Sequence, residues 1–402
     1  MNARSLAKAL FVVALFIEAG SAHAATFEVS GWLPYWRKAT STTDALQHIN
    51  QFTEINPFGY SVKSDGTLAD TAQLGQDPWT SLIASARDKK IRVIPTVMWS
   101  DGAAMQLVLS NQASRIALED AITAIAVQNN FDGIDIDFEG KRAETGPYFS
   151  TFLKGLYKRM GKKWVMCTIE ARTPISSRYD GTPPGDAGVY SNDYVQINKY
   201  CDRVRIMAYD QGTVDVKLNK TANQEPYVPV ADVRWVEKAI REALKVIPKS
   251  KLVIGVPTYG YEYQVTPLSE SGYRYDLLWA FNQKYAFDLI SQYQVNVKRN
   301  AAGEMSFSYI PAGAVTMEAT NSPQLTNNTA ITLGAVNQNV VVEASASIAP
   351  PLTAFNIVWW SDAKAIQDKI ALAKKLGVRG IAIFKIDGGE DPALWDILPK
   401  VR

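Results

Sequence analysis

Phe131-Asp132-Gly133-Ile134-Asp135-Ile136-Asp137-Phe138-Glu139 alternates apolar and acidic side chains from Ile134 onward. Alternation is the period of a β-strand, whose successive side chains point to opposite faces. Asp135, Asp137 and Glu139 then share one face, and Ile134, Ile136 and Phe138 share the other. In a closed barrel the apolar set packs under surrounding helices. The acids point inward, with Glu139 at the C-terminal mouth where such barrels carry their chemistry. Repulsion among same-face carboxylates raises at least one pKa, which suits a general acid at neutral pH. A solvated acidic edge strand is one alternative, but a barrel has no edge. An EF-hand loop is another, since Asp135-x-Asp137-x-Glu139-Gly140 imitates its start. Its twelfth position would be Gly146, where a bidentate Glu is required.

Working outward, β-rich runs recur at 29–35, 53–62, 91–99, 133–139, 164–170, 203–209, 252–259 and 380–386. Amphipathic stretches at 115–128 and 363–376 lie between some of them. Strand–helix alternation predicts a parallel sheet with helical crossovers, and eight such units predict a (β/α)8 TIM barrel. An open doubly wound sheet is the alternative, but no Gly-rich phosphate loop follows the first strand. The barrel is expected over 25–260 plus 352–402. Residues 261–351 read as a small α+β insertion between strands seven and eight, with a helix at 275–293 and β-like runs at 304–310 and 337–347. No appended carbohydrate-binding module is expected after the last helix.

Arg4 and Lys8, an apolar core at 9–16 and the small-x-small Ala22-His23-Ala24 predict a signal peptide over 1–24, cut after Ala24. The apolar core is too short to span a bilayer. Export to the cell exterior, periplasm or envelope follows, with no membrane association after cleavage. The formal net charge of +2 gives no support for a nucleic-acid partner. The two cysteines, Cys167 and Cys201, exclude a disulfide scaffold; one bridge is possible in an oxidising compartment, but both read as strand-interior or strand-start residues and so as two buried free thiols. Of the two histidines one lies in the predicted signal peptide. Only His48 remains, which excludes a multi-His zinc site and leaves acid–base chemistry to carboxylates, Tyr or Lys. Ten Trp and eighteen Tyr supply ring faces of the kind that stack on sugars, though aromatics also fill cores.

The acidic strand resembles the D-x-x-D-x-D-x-E signature of glycoside hydrolase family 18, the chitinases and related N-acetylglucosaminidases. Met207-Ala208-Tyr209-Asp210 resembles the family's sixth-strand M-x-Y-D, and Gly255-Val256-Pro257-Thr258-Tyr259-Gly260 its seventh-strand G-x-P-x-Y-G. Trp99 falls where the third strand usually ends in Trp. The likeness runs in order through nearly all of the chain after residue 24. Met207-Ala208-Tyr209-Asp210-Gln211, the segments 229–231 and 235–237, and Val358-Trp359-Trp360-Ser361-Asp362 are similar to the branch acting on peptidoglycan or spore cortex.

The resemblance implies retaining, substrate-assisted hydrolysis of an N-acetylglucosamine-containing glycan, with no metal or cofactor, by a monomer. Glu139 would be the proton donor. Asp137 would hold the acetamido N–H, Tyr209 would orient the acetamido oxygen, and Asp135 would share a proton with Asp137. Asp132 would support the strand. Trp99, Tyr259 and Tyr60 are the candidate sugar platforms, with Met207 and Asp210 lining the mouth. Phe384 stands where the family usually has Trp, which weakens stacking. Glu170 and Arg172 also depart from the family's apolar pattern, as a mutual ion pair or as a contact to a charged glycan. A non-catalytic, lectin-like barrel is the competing function, but such members typically lose the terminal Glu, and Glu139 is present.

Overall fold

The computed structural model describes residues 27–223, 225–269, 272–311 and 354–398. All eight β-rich runs form strands: Glu28–Leu33, Glu54–Val62, Arg92–Val93 continued by Thr96–Trp99, Gly133–Phe138, Trp164–Glu170, Arg203–Met207, Leu252–Pro257 and Gly380–Phe384. Each pairs in parallel with the next. The eighth pairs with the first, Gly380 opposite Glu28, so the sheet closes into a (β/α)8 TIM barrel. The third strand breaks at Ile94-Pro95, where proline has no N–H to give the ladder.

Polar caps start the crossovers soon after the strands end. The side chains of Asp101, Asn111, Asp193, Asp232 and Asp362 accept N–H bonds from the first turns of the helices they precede. The helix Val233–Leu244 buries Trp235, Val236, Ala239, Ile240 and Ala243, one face at helical spacing. Gln112–Gln128 and Ala363–Leu376 contain the two amphipathic stretches expected from the sequence. The apolar face of Gly133–Phe138 packs outward as its alternation requires, with Phe138 stacked on Phe152 at 5.3 Å.

The barrel axis is unusually polar. Arg205, wholly buried, ion-pairs with Glu54 and lies 2.9 Å from Asp135 Oδ2. Arg92 bridges Glu54 to Glu28, at 3.3 Å each, and Glu28 also takes Arg203 and Arg379. A ladder of alternating charge thus runs from the fourth strand to the first residue of the barrel. Its members pair charge with opposite charge, the arrangement that makes buried ions tolerable.

A second, antiparallel sheet leaves the barrel after the seventh strand. Its order is Gly272–Asn282, Tyr259–Ser269, Phe355–Trp360, Met305–Tyr309, Lys298–Arg299. It takes in residues 259–260 and Phe355–Trp360, outside the 261–351 span expected for the insertion. The expected helix at 275–293 is half right. Gln283–Tyr293 is helical, but Gly272–Asn282 is a strand whose tyrosines and other β-formers pair with Tyr259–Ser269. The run at 304–310 becomes Met305–Tyr309. The run at 337–347 and the predicted signal peptide lie outside the described residues.

The expectation of free thiols is also corrected: Cys167 and Cys201 form a disulfide. Cys167 faces away from the barrel axis on the fifth strand, and Cys201 ends the helix Tyr194–Tyr200. Their Cα atoms stand 5.9 Å apart, within bridging range.

Candidate active site

Strand register brings the expected acids together. Asp135 faces Thr96 on one side and Met166 on the other, and Asp137 faces Met98 and Thr168. Asp135 is held completely. Its Oδ2 accepts Trp32 Nε1 at 3.0 Å and Thr96 Oγ1 at 2.9 Å beside the Arg205 ion pair, and its Oδ1 accepts Thr168 Oγ1 at 2.8 Å. Both Asp135 oxygens are thus engaged by neighbours, and its charge helps to raise the Asp137 carboxyl. Asp132 Oδ2 accepts the Val93 N–H at 2.8 Å and ties the third strand to the fourth.

Asp137 is buried, and its Oδ1 has no hydrogen-bond partner among the described residues. Burial pushes its carboxyl well above the ordinary range, helped by the charges of Glu139, Asp135 and Glu170. Glu139 follows at the barrel mouth. Burial raises its pKa to about 7; Glu170 and Asp210 act in the same direction and Lys141 against it. Tyr209 is held protonated by burial and by the surrounding carboxylates. Its ring stacks on Phe384 at 5.7 Å. Gly255 makes room for that ring, because a Cβ there would meet Ile206 O at 2.6 Å and Tyr209 Cε1 at 2.9 Å. The seventh-strand glycine of the motif therefore has a packing reason.

Asp210 accepts the Tyr259 and Tyr261 hydroxyls at 2.5 and 2.6 Å. A cleft of about 420 Å³ opens here, lined by Trp36, Arg37, Asp210, Tyr259, Phe384 and Lys385 among others. Met207 ends the sixth strand, half-buried, opposite Glu170.

Two aromatic expectations fail. Trp99 is 2% exposed and stands edge-on to Phe138 at 5.4 Å. Register explains it: Met98 pairs with Asp137, so Trp99 pairs with Phe138 on the helix-facing side. Tyr60 is likewise buried in the main core. A bulge between Phe58 and Tyr60 accompanies the change, and Phe58 packs with Trp32 and Phe384 instead.

Sequence reasoning missed Lys141, Arg205, Trp32 and Asn192. Strand parity could have found Arg205, which shares its strand's alternating pattern with Arg203 and Met207. The expected Glu170–Arg172 ion pair does not form. Glu170 pairs with Lys141 and accepts Asn192 Nδ2 at 2.6 Å. Arg172 lies over the rings of Tyr190 and Tyr194, at 4.2 and 3.7 Å. Among the described residues no group of three or more His, Cys, Asp or Glu side chains could hold a metal ion.

Comparison with known proteins gives the same outline. The chain is 22% identical over 368 residues to the Uncharacterized glycosylase YvbX of Bacillus subtilis (strain 168), covering 89% of each chain. The spore cortex-lytic enzyme SleL of Bacillus megaterium superposes with a TM-score of 0.65 at 20% identity, over 95% of this chain and 75% of that one. A chitinase from Chromobacterium violaceum superposes at 0.66 and 17% identity, over 93% of this chain and 98% of that one. The family model of the glycosyl hydrolases family 18 matches residues 30–389. The chain therefore belongs to the glycosyl hydrolases family 18 and is a glycoside hydrolase.

Proposed function

We propose that this enzyme cleaves β-linked N-acetylglucosamine-containing glycans with retention, the substrate's own acetamido group serving as nucleophile. The observation that carries the reading is the Asp137–Glu139 pair. Asp137 Oδ1 is a buried acceptor without a donor among the described residues, and beside it stands a carboxyl whose pKa is raised to about 7. An acetamido N–H is the donor that fits such an orphaned acceptor. Glu139 gives its proton to the leaving oxygen. The acetamido carbonyl closes on the anomeric carbon, breaking the glycosidic bond and forming an oxazolinium-like ring. Tyr209, protonated and without a hydrogen bond to the described residues, donates to the acetamido oxygen. Water then opens the ring, with Glu139 as base.

Peptidoglycan-type strands are the favoured substrate. The cleft mixes rings with charge, and Arg37 makes no ion pair among the described residues. A carboxylate-bearing sugar would supply one. The named activities of relatives span spore cortex lysis and chitin hydrolysis, which fits one chemistry on two N-acetylglucosamine polymers. We also place the enzyme outside the cytoplasm, on the N-terminal pattern and on a disulfide that suits an oxidising compartment.

The test is Glu139→Gln. Turnover is expected to fall at least ~100-fold with circular dichroism unchanged. Early-time NMR of the wild-type product is expected to show the β-anomer first. Near wild-type turnover in the variant would place the proton donor elsewhere, and an α-anomer appearing first would exclude the acetamido route.

A further inference from the structure

The Lys141 side chain is 0% exposed although it lies two residues beyond Glu139, in the turn that leaves the fourth barrel strand. Its Nζ donates to the Phe138 carbonyl, lies 3.5 Å from Glu170 Oε2 and sits 4.9 Å from the Phe149 ring centroid. Glu170 ends the fifth strand. Its Oε1 accepts the Gly140 N–H at 3.3 Å, and its Oε2 accepts Asn192 Nδ2. The turn itself needs Gly140, whose φ is +66°. Residues 138, 140 and 141, on both sides of the proton donor, are therefore gripped by one ion pair. A lysine side chain wholly out of water needs such a partner.

We propose that Glu170 and Lys141 form a positioning pair that fixes the Glu139 turn and sets the pH at which the proton donor loses its proton. This rests on the reading of Glu139 as general acid. The charges acting on Glu139 come from several elements: Asp137 on its own strand, Lys141 in the following turn, Glu170 from the fifth strand and Asp210 after the sixth. Glu170 favours the protonated form of Glu139 and Lys141 the ionised form. The two charges of the pair thus act on the acid in opposite directions. Neither residue is required to touch the sugar.

The opposed signs give the test. The alkaline limb of the kcat/KM profile reports the acid in the free enzyme. Profiles on soluble glycan strands are compared for wild type, Glu170→Gln, Lys141→Met and the double variant. In Glu170→Gln the limb moves to lower pH, so that activity near pH 8, relative to the variant's own maximum, falls about threefold. In Lys141→Met it moves to higher pH by a similar factor, and the double variant returns toward wild type. Limbs that stay fixed, or move in the same direction, would overturn the proposal even if both variants are slow. Lys141→Gln substitutes if Lys141→Met does not fold. For any folded variant too slow to assay, the ¹³C titration of labelled Glu139 reads the same displacement, and unchanged midpoints overturn it. Glu139→Gln measured alongside separates the two readings: if it is inactive while the limbs stay fixed, only the positioning pair fails, whereas full turnover in it removes the proton-donor assignment.

Discussion

Asp44, on the helix Lys38–Gln47, meets Glu390, which follows the eighth barrel strand. Glu390 Oε2 accepts three backbone N–H groups, from Asp387, Gly388 and Gly389 at 3.1–3.2 Å. Asp44 keeps the proton. Burial, the hydrogen bond to Glu390 and the charges of Glu390 and Asp387 push it up to about 9. His48 lies 3.9 Å from Asp44 and stacks on Trp395 at 4.0 Å. A carboxyl whose folded pKa is raised binds more protons folded than unfolded. Its stabilisation is complete below about pH 3.9, the ordinary aspartate value, and drains away as pH climbs toward 9. The unfolding free energy should therefore fall across that window, by up to about 1.4 kcal/mol per pH unit from this group. Asp44→Asn should flatten the fall while leaving acid stability nearly unchanged. Urea unfolding at several pH values checks this, and an unchanged slope in the variant would contradict it. Nothing in the local sequence Asp44-Ala45-Leu46-Gln47-His48 announces the pairing, because its partner is contributed from the far end of the chain.

The fifth strand and the helix Tyr194–Tyr200 are fastened by the Cys167–Cys201 bridge, which closes a loop of 34 residues. A loop of that length is worth about 3–4 kcal/mol in the chain-entropy account. Cys167→Ser with Cys201→Ser should cost about that much in urea unfolding, with KM unaffected, because the bridge lies on the helix side of the barrel wall. Intact mass of the exported protein should show both the bonded cysteines and the loss of residues through Ala24. Retained Met1 or two free thiols would count against export into an oxidising compartment. Elements were the most legible level of the sequence. All eight barrel strands follow from β-rich runs, and alternation alone put Asp135, Asp137 and Glu139 on one face. Trp99 and Tyr60 were misplaced because position on a strand does not give parity against the neighbouring strand. That parity depends on a break at Pro95 and a bulge near Phe58, which are tertiary facts. The strand Gly272–Asn282 was lost because it runs directly into the helix Gln283–Tyr293, and only its pairing with Tyr259–Ser269 separates the two.

At the scale of the molecule, the proposed substrate preference rests on the cleft. Trp99 and Tyr60 are withdrawn into the core, which shortens the aromatic floor to Tyr259, Phe384 and the half-exposed Trp36, with Arg37 and Lys385 beside them. Lys385 is already paired with Asp387, whereas Arg37 has no ion pair among the described residues. A short aromatic floor grips crystalline polymer poorly, and a cation rewards an acidic sugar or peptide stem. Turnover at equal bond concentration should therefore run higher on peptidoglycan strands than on colloidal chitin, by roughly tenfold if one charge-assisted contact is made. Strong release from colloidal chitin with none from peptidoglycan would reverse that order. The charged ladder down the barrel axis bears on how such a molecule assembles. A slip of one residue in Gly133–Phe138 would send Asp135 out to the helices and set an isoleucine against the Arg205 guanidinium. A buried cation stripped of its partner costs about 3–5 kcal/mol. The barrel thereby proofreads the strand that delivers its acid, discarding near-miss registers that an oily interior would have tolerated.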